Sequence, residues 1–295
     1  MTVEHIDDKT ILISADFSLK HTFECGQAFR WLPHEGGYLG AARGRTLFLI
    51  EREGQIEMSP CTREDYESVW KDYFGLSRDY GKIREALAFD THVMAGMEYA
   101  RGLRILNQEP FETLISFIIS ANNNVKRIQG IIEKMCIRFG ERIPGWQELY
   151  TFPKPEALAC ATVPELEACG AGYRAPYVIG TARVVYDGFD LEALRCMAYA
   201  KAKKLLMGLP GVGPKVADCV LLFSLSHGSA FPIDVWVARI MKALYLNEGV
   251  KKREMENFAR ERFGEHAGIA QQWLFHYARG GGLGIGRRGR QSEPS

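Results

Sequence analysis

Residues 209–234 run Leu209-Pro210-Gly211-Val212-Gly213-Pro214-Lys215-Val216-Ala217-Asp218-Cys219 and close on Phe231-Pro232-Ile233-Asp234. Glycines at 211 and 213 let the backbone approach a ligand closely and leave amides unpaired at a helix start, an anion site suited to one nucleic-acid phosphate. Lys215 falls in the first turn of the helix that Pro214 opens. The helix dipole disfavours a cation there, and a neutral amine can attack a carbon electrophile and form a Schiff base. Asp234, 19 residues on, precedes an apolar-periodic run and reads as an N-cap. A carboxylate so placed can also move protons or stabilise a cation. A phosphate site, an amine nucleophile and an acid/base group are the set that excision of a base from DNA requires. The plainer readings are an ordinary helix–helix turn, a surface lysine on a phosphate, and a cap. The three features within 26 residues outweigh them.

Two kinds of element must position this set. Up to about residue 60 the chain reads as sheet: Gly37–Ala42, a turn at Arg43-Gly44, Thr46–Ile50, a turn at Glu53-Gly54, then Gln55–Met58, an antiparallel meander. Helices are expected over 65–73 and 80–88. From about residue 99 the period becomes helical. Phe111, Leu114, Ile115, Ile118 and Ile119 share one face, and Ile128, Ile131, Ile132, Met135 and Phe139 another, with the polar break Asn122-Asn123-Asn124 between. Further helices are expected over 155–161, 163–168, 175–187, 191–207, 215–226, 235–246, 252–263 and 267–278. The one over 191–207 carries Lys201, Lys203 and Lys204 into the hairpin. The fold class is therefore α+β, with an antiparallel β domain with helices over 1–98 and a mostly helical domain over 99–279. The helix-hairpin-helix falls at about 199–226. Residues 280–295, rich in Gly and Arg, read as a flexible basic tail.

The net charge of +1 predicts no partner by bulk, so a nucleic-acid surface must be a local patch. No apolar run reaches membrane-spanning length and the first residues show no signal pattern, which reads as intracellular. Seven scattered cysteines without a CxxC pair argue against a disulfide framework, a zinc site or an iron–sulfur cluster, and most read as reduced core thiols. The histidines form no metal constellation, so none is assigned.

The 209–234 stretch resembles the helix-hairpin-helix-Gly/Pro-Asp signature of base-excision DNA glycosylases, in which the lysine marks members that are also lyases. The resemblance extends over most of the chain, to about Arg279, and points to the 8-oxoguanine DNA glycosylase/AP lyase family, in a bacterial form. Four further ordered segments carry it: Phe23-Glu-Cys-Gly26-Gln27-Ala-Phe29-Arg30-Trp31, Ser120-Ala-Asn122-Asn123-Asn124-Val-Lys-Arg127, Gly172-Tyr173-Arg174-Ala-x-Tyr177, and His266-Ala-Gly-Ile-Ala-Gln271-Gln-Trp-Leu-Phe275. It implies a TBP-like sheet domain before the helical one. It implies Lys215 as the nucleophile at C1′ and Asp234 as stabiliser of the sugar cation and proton carrier. The Gly26 carbonyl would take N7–H of 8-oxoguanine, the proton that guanine lacks. Gln271 would bond the Watson–Crick edge, and Phe275 and Cys219 would sandwich the flipped base. Asn122, Arg127, Tyr173 and Arg174 would fill the gap and hold the orphaned cytosine, while Gly211 and Gly213 would hold a phosphate. Taken singly, most of these residues read as packing, caps or solvated surface.

Two positions depart from the family's animal members: Trp236 stands where they carry His, and Ala278 where they carry Asp. Their presumed polar pair is lost, which bears on phosphate contact and pocket closure rather than on the reaction. The resemblance implies duplex DNA containing 8-oxoguanine as partner, a monomer, no membrane, and a cytoplasmic, nucleoid-associated location. No cofactor is needed, although the hairpin carbonyls leave room for a structural cation. Three rivals remain open on the residues: a glycosylase for another base, a non-catalytic helix-hairpin-helix DNA-binding module, and an aldolase-type lysine enzyme, the last unsupported by any barrel-like βα alternation.

Overall fold

The computed structural model describes residues 2–7, 10–145, 148–282 and 284. The tail expected over 280–295 lies outside them except for 280–282 and 284. Six strands, β1 (Thr2–Asp7), β2 (Thr10–Ser14), β3 (Trp31–His34), β4 (Gly37–Ala42), β5 (Arg45–Arg52) and β6 (Gln55–Ser59), form one antiparallel sheet in the order β1-β2-β6-β5-β4-β3. The turns Glu35-Gly36, Arg43-Gly44 and Glu53-Gly54 each place two residues at positive φ. That backbone matches the twist of two-residue hairpins, and glycine in the second place adopts it without strain. The meander read from β4 to β6 is thus present, and three further strands extend it. β2 joins through non-local pairing, with Ile11 opposite Met58 and Ile13 opposite Ile56.

Alternation sends Ile11, Ile13, Leu47, Leu49, Ile56 and Met58 to one face. There they meet an aromatic cluster in which Phe23 stacks on Trp31 (4.7 Å) and Trp70 on Phe74 (5.7 Å). The Trp31 indole N–H donates to the Tyr73 hydroxyl at 2.9 Å.

A second core holds the helices. Helix Pro110–Ser120 runs through it with Leu114, Ile115, Phe117, Ile118 and Ile119 buried, and Pro214–Phe223 packs against it. Helix Tyr80–Leu87, expected over 80–88, and helix Thr91–Tyr99, which was not expected, both fall in the stretch assigned to the sheet domain but bury Tyr80, Ile83, Leu87, Val93 and Met97 in this helical core. Gly96 permits the crossing with helix Ala267–Arg279, since a Cβ there would lie 2.9 Å from the Trp273 carbonyl. The single helix expected over 191–207 is a 3-10 turn, Glu192–Cys196, followed by helix Tyr199–Leu206, because Met197 turns extended. Among the described residues no helix is long and apolar enough to cross a membrane, and no group of three His, Cys, Asp or Glu is arranged to hold a metal ion.

Residues 103–108 join the two cores without helix or strand, and all but Asn107 are buried. Buried backbone amides need partners, and side chains or distant carbonyls supply them. The Arg104 N–H donates to Thr22 Oγ1 (3.1 Å), Ile105 to the Tyr80 hydroxyl (2.7 Å), Leu106 to Gln27 Oε1 (3.0 Å), Asn107 to the Tyr73 carbonyl (2.8 Å) and Gln108 to the Phe223 carbonyl (2.8 Å). Gln27 Nε2 donates in turn to the carbonyls of Thr22 (2.9 Å) and Arg104 (2.7 Å).

Replacing Gln27 by Leu keeps the volume but strands these groups. With about 1 kcal/mol or more lost per stranded group, a destabilisation of about 3 kcal/mol is expected in urea unfolding. A wild-type midpoint would contradict the role given to Gln27.

Candidate active site

The hairpin is shaped by its glycines. Gly211 has φ +75°, and a Cβ there would meet Cβ of Tyr177 at 2.7 Å, so neither its conformation nor its surroundings admit a side chain. Gly213 caps helix Pro214–Phe223 with extended backbone and no side-chain bond, leaving the first amides of that helix turned outward. The Thr181 hydroxyl donates to the Pro210 carbonyl at 2.7 Å and holds the turn from behind. Beneath it, Lys203 Nζ donates to Asp218 (2.8 Å), Glu256 (3.0 Å) and the Tyr199 hydroxyl (3.0 Å), and that hydroxyl donates to Asp218 (2.7 Å). Of the three lysines that lead into the hairpin, Lys203 is therefore turned inward as a clamp between the hairpin helices, while Lys201 and Lys204 stay exposed. A groove of about 670 Å³ opens at the hairpin, lined by Gly211, Gly213 and Lys215 and by Lys252, Arg253 and Arg260. The last three cations come from helix Lys252–Phe263, which the sequence reading assigned no role; their signal was a basic cluster at a helix start, next in order after Asp234.

Lys215 is half-buried. Its Nζ lies 4.6 Å from the centre of the Phe117 ring and donates to Ser120 Oγ at 3.2 Å. One turn further along the same helix, burial pushes the Cys219 thiol up to about 12, so it remains a neutral wall; Lys215 lowers and Asp234 raises it, which puts both charges near this thiol. Asp234 caps helix Val235–Leu244 by accepting from the Val237 N–H at 2.8 Å, one carboxylate oxygen being engaged there. Phe117 also stacks on Phe223 (5.6 Å) and takes the edge of Phe29 (5.5 Å), so the lysine rests on a ring tied to the segment that carries Gly26.

Gly26 has φ +85°. Gln271 and Phe275 lie one turn apart on helix Ala267–Arg279, Gln271 buried and Phe275 half-buried. Gln271 Oε1 accepts from Gln272 Nε2 at 2.8 Å. The Arg279 guanidinium lies 5.4 Å from the Phe275 ring centre, and a Cβ built on Gly26 would meet its Nη1 at 3.8 Å. Gly26, Phe275 and Arg279 thus converge on one wall, and Cys219 belongs to the same helical core against which Phe275 packs. The Ala278 side chain is buried among apolar neighbours, and Trp236 lies under the Arg239 guanidinium (5.7 Å). Behind the wall His21 Nδ1 and His276 Nε2 are hydrogen-bonded at 2.9 Å. Burial lowers both imidazoles, His276 to about 4.

A separate cluster sits on the surface. The three asparagines do three jobs. Asn123 Nδ2 donates to the Ile119 carbonyl (3.1 Å), closing the preceding helix, and Asn124 caps helix Val125–Phe139 by accepting from Arg127 N–H (3.0 Å). Asn122 is exposed at φ +49°, a left-handed backbone that costs a residue with a Cβ. Arg174 holds it there: its guanidinium donates to the carbonyls of Ala121 (Nε, 2.9 Å) and Asn122 (Nη2, 3.0 Å) and lies 4.3 Å from the Tyr173 ring centre. Arg174 is thus buried and serves as a brace, whereas Tyr173, 59% exposed, and Arg127 face outward.

Comparison with known proteins matches the chain to two family models in succession. Residues 10–114 match the model of the 8-oxoguanine DNA glycosylase N-terminal domain, and 115–265 that of the HhH-GPD superfamily base excision DNA repair proteins. A probable N-glycosylase/DNA lyase of Methanothermobacter thermautotrophicus is 32% identical over 91% of this chain and 95% of its own. The N-glycosylase/DNA lyase OGG1 of Arabidopsis thaliana is 31% identical over 90% of this chain and 78% of its own. The structure of Clostridium acetobutylicum 8-oxoguanine glycosylase/lyase in complex with double-stranded DNA containing cytosine opposite 8-oxoG superposes with a TM-score of 0.91, at 36% identity over 95% of this chain and 98% of that one.

Gly211→Ala should distort the hairpin and lower affinity for duplex DNA at least tenfold in a filter-binding titration, while Gly213→Ala, whose Cβ meets open space, should lower it less; equal effects would contradict the geometry. The histidine pair adds a pH dependence. An unfolded imidazole titrates near 6.5 and folded His276 near 4, so the unfolded chain binds more protons between those values. Stability should therefore fall as pH drops from 6.5 towards 4, and less steeply in His276→Gln; identical slopes would remove the pair from the account.

Proposed function

The chain belongs to the 8-oxoguanine DNA glycosylase family of helix-hairpin-helix base-excision repair proteins, and from that premise we propose how its own residues excise 8-oxoguanine from duplex DNA and cut the strand. It is a bifunctional DNA glycosylase and AP lyase. The observation that carries the residue-level reading is the Lys215 amine, which rests on Phe117 and Ser120 beside the hairpin while Lys215 and Asp234 act on the same Cys219 thiol.

Outward amides at Gly213 and the cations Lys252, Arg253 and Arg260 hold the phosphates of one strand, so binding weakens with salt. Tyr173 and Asn122 enter the duplex and replace the stacking lost when the damaged nucleotide swings out. Arg127 faces the orphaned base. Arg174 either releases the Ala121 carbonyl to reach that base or remains the brace of the wedge. The flipped base lies between Cys219 and Phe275, with its Watson–Crick edge on Gln271 and N7–H on the Gly26 carbonyl.

Lys215 Nζ, once it has given up a proton, bonds to C1′ as the bond from C1′ to N9 breaks, the electron pair leaving with the base. Asp234 stabilises the positive charge that develops on the sugar; Nζ then gives up a proton, the C1′–O4′ bond breaks with its electron pair and a proton going to O4′, and the opened sugar is held as an imine between Nζ and C1′. A proton then leaves C2′, the C3′–O bond breaks, and the strand is cut on the 3′ side. No step calls for a redox group or a metal; a cation on the hairpin carbonyls would serve only to hold the phosphate. All these residues come from one chain, so the proposed site is complete in a single copy, and we take the enzyme to act as a monomer. We place it in the cytoplasm, on nucleoid DNA.

Borohydride trapping with 8-oxoguanine opposite each of the four bases tests the reading. Wild type should yield a covalent DNA adduct and Lys215→Gln none. Asp234→Asn should slow excision by about a hundredfold or more. An undiminished adduct with Lys215→Gln, or better cleavage of another lesion, would overturn the mechanism or the substrate respectively.

A further inference from the structure

Arg279 closes helix Ala267–Arg279, where a cation complements the helix dipole. That setting explains its charge but not the direction of its side chain. The guanidinium reaches back over Phe275 at 5.4 Å, and Nη1 is the one atom that a Cβ on Gly26 would meet within 4 Å. Its charge also acts on the buried Cys25 thiol next to Gly26. Among the described residues no carboxylate pairs with it.

Spacing on the helix then sets the order of functions. Gln271, Phe275 and Arg279 lie at i, i+4 and i+8, on one face, about 6 Å apart in successive steps. A purine stacked on Phe275 with its Watson–Crick edge on Gln271 extends its imidazole end the other way, towards Arg279. In 8-oxoguanine that end carries N7–H beside the acceptor O8. In guanine the same end carries an acceptor at N7 and a hydrogen at C8. A carbonyl acceptor at Gly26 beside a guanidinium donor at Arg279 is the complement of the first pattern and mismatches the second.

We infer that Arg279 is a specificity-determining residue that donates a hydrogen bond to O8 of the flipped base while Gly26 accepts from N7–H. This rests on the functional reading above. Two atoms of the lesion are then read at one end and the Watson–Crick edge at the other, all from the Gly26 turn and a single helix.

The test uses the full chain under single-turnover conditions on two duplexes, one with 8-oxoguanine and one with an abasic site, which has no base to read. For Arg279→Leu the ratio of 8-oxoguanine excision to abasic-site cleavage should fall about tenfold or more, the loss of one charged hydrogen bond. Arg279→Lys, which keeps a donor without the planar fork, should lie between. An unchanged ratio in the Leu variant would overturn the assignment, as would an equal loss on both duplexes, which marks a general DNA contact. Failure of the wild type to excise 8-oxoguanine would instead overturn the functional reading itself.

Discussion

Residues 103–108 are buried without belonging to a helix or strand, and the need to pair their amides governs how the two halves of this protein meet. An amide left unpaired in that position costs about as much as a lost hydrogen bond. Five consecutive N–H groups are therefore matched to Thr22, Tyr80, Gln27, Tyr73 and Phe223, which come from both cores. Two of these partners reach the site directly. Gln27 follows Gly26, the glycine proposed to read the base, and also receives a bond from Gln108 Nε2 on its carbonyl (2.8 Å). Phe223 ends the helix that carries Lys215 in its first turn. The distance between the base-reading turn and the nucleophile's helix is thus set by backbone satisfaction, not by any contact between the two functional residues.

The rest of the site follows one pattern: reactive or intruding residues stand on loops, and buried polar groups behind them hold the loops still. The hairpin is braced by Lys203, Asp218, Tyr199 and Glu256. The exposed Asn122, in a backbone that its side chain disfavours, is braced by Arg174. Asp234 spends one oxygen on a helix cap and so is fixed in place by the same bond that starts Val235–Leu244. Lys215 lies on an aromatic ring that stacks on Phe223 and takes the edge of Phe29. Few of the braces touch substrate in this arrangement, yet each limits how far a functional group can move.

Much of this was legible beforehand. Periodicity placed most helices of the second domain to within a few residues, because each buries one continuous face. The Xaa-Gly pairs at 43–44 and 53–54 marked hairpins because both φ angles there are positive. The chemistry of the site, a lysine at a helix start and an aspartate before the next helix, stands in local spacing. Other features had no local signal. β2 pairs with β6 across more than forty residues of chain. Helices 80–87 and 91–99 follow the sheet in sequence but bury their apolar faces in the other core. Lys203 looked like its neighbours Lys201 and Lys204, and Arg174 like Arg127, because a sequence does not say which side of an element carries a carboxylate or an open carbonyl.

The sequence by itself determined which candidate groups stand close together, the turns that glycine alone can make, and the order of elements, since all three depend on residues close together in the chain. Only the tertiary structure decided which charged side chains are braces and which are free, that Ser120 and Phe117 seat the nucleophile, and that Arg279 turns towards Gly26. The last two depend on groups more than ninety residues apart being brought into contact, and the braces on partners 15 to 53 residues away. Burial then changes what each group can afford: a cation in water can point anywhere, whereas one enclosed by protein must find the carboxylate, carbonyl or ring that the fold sets beside it.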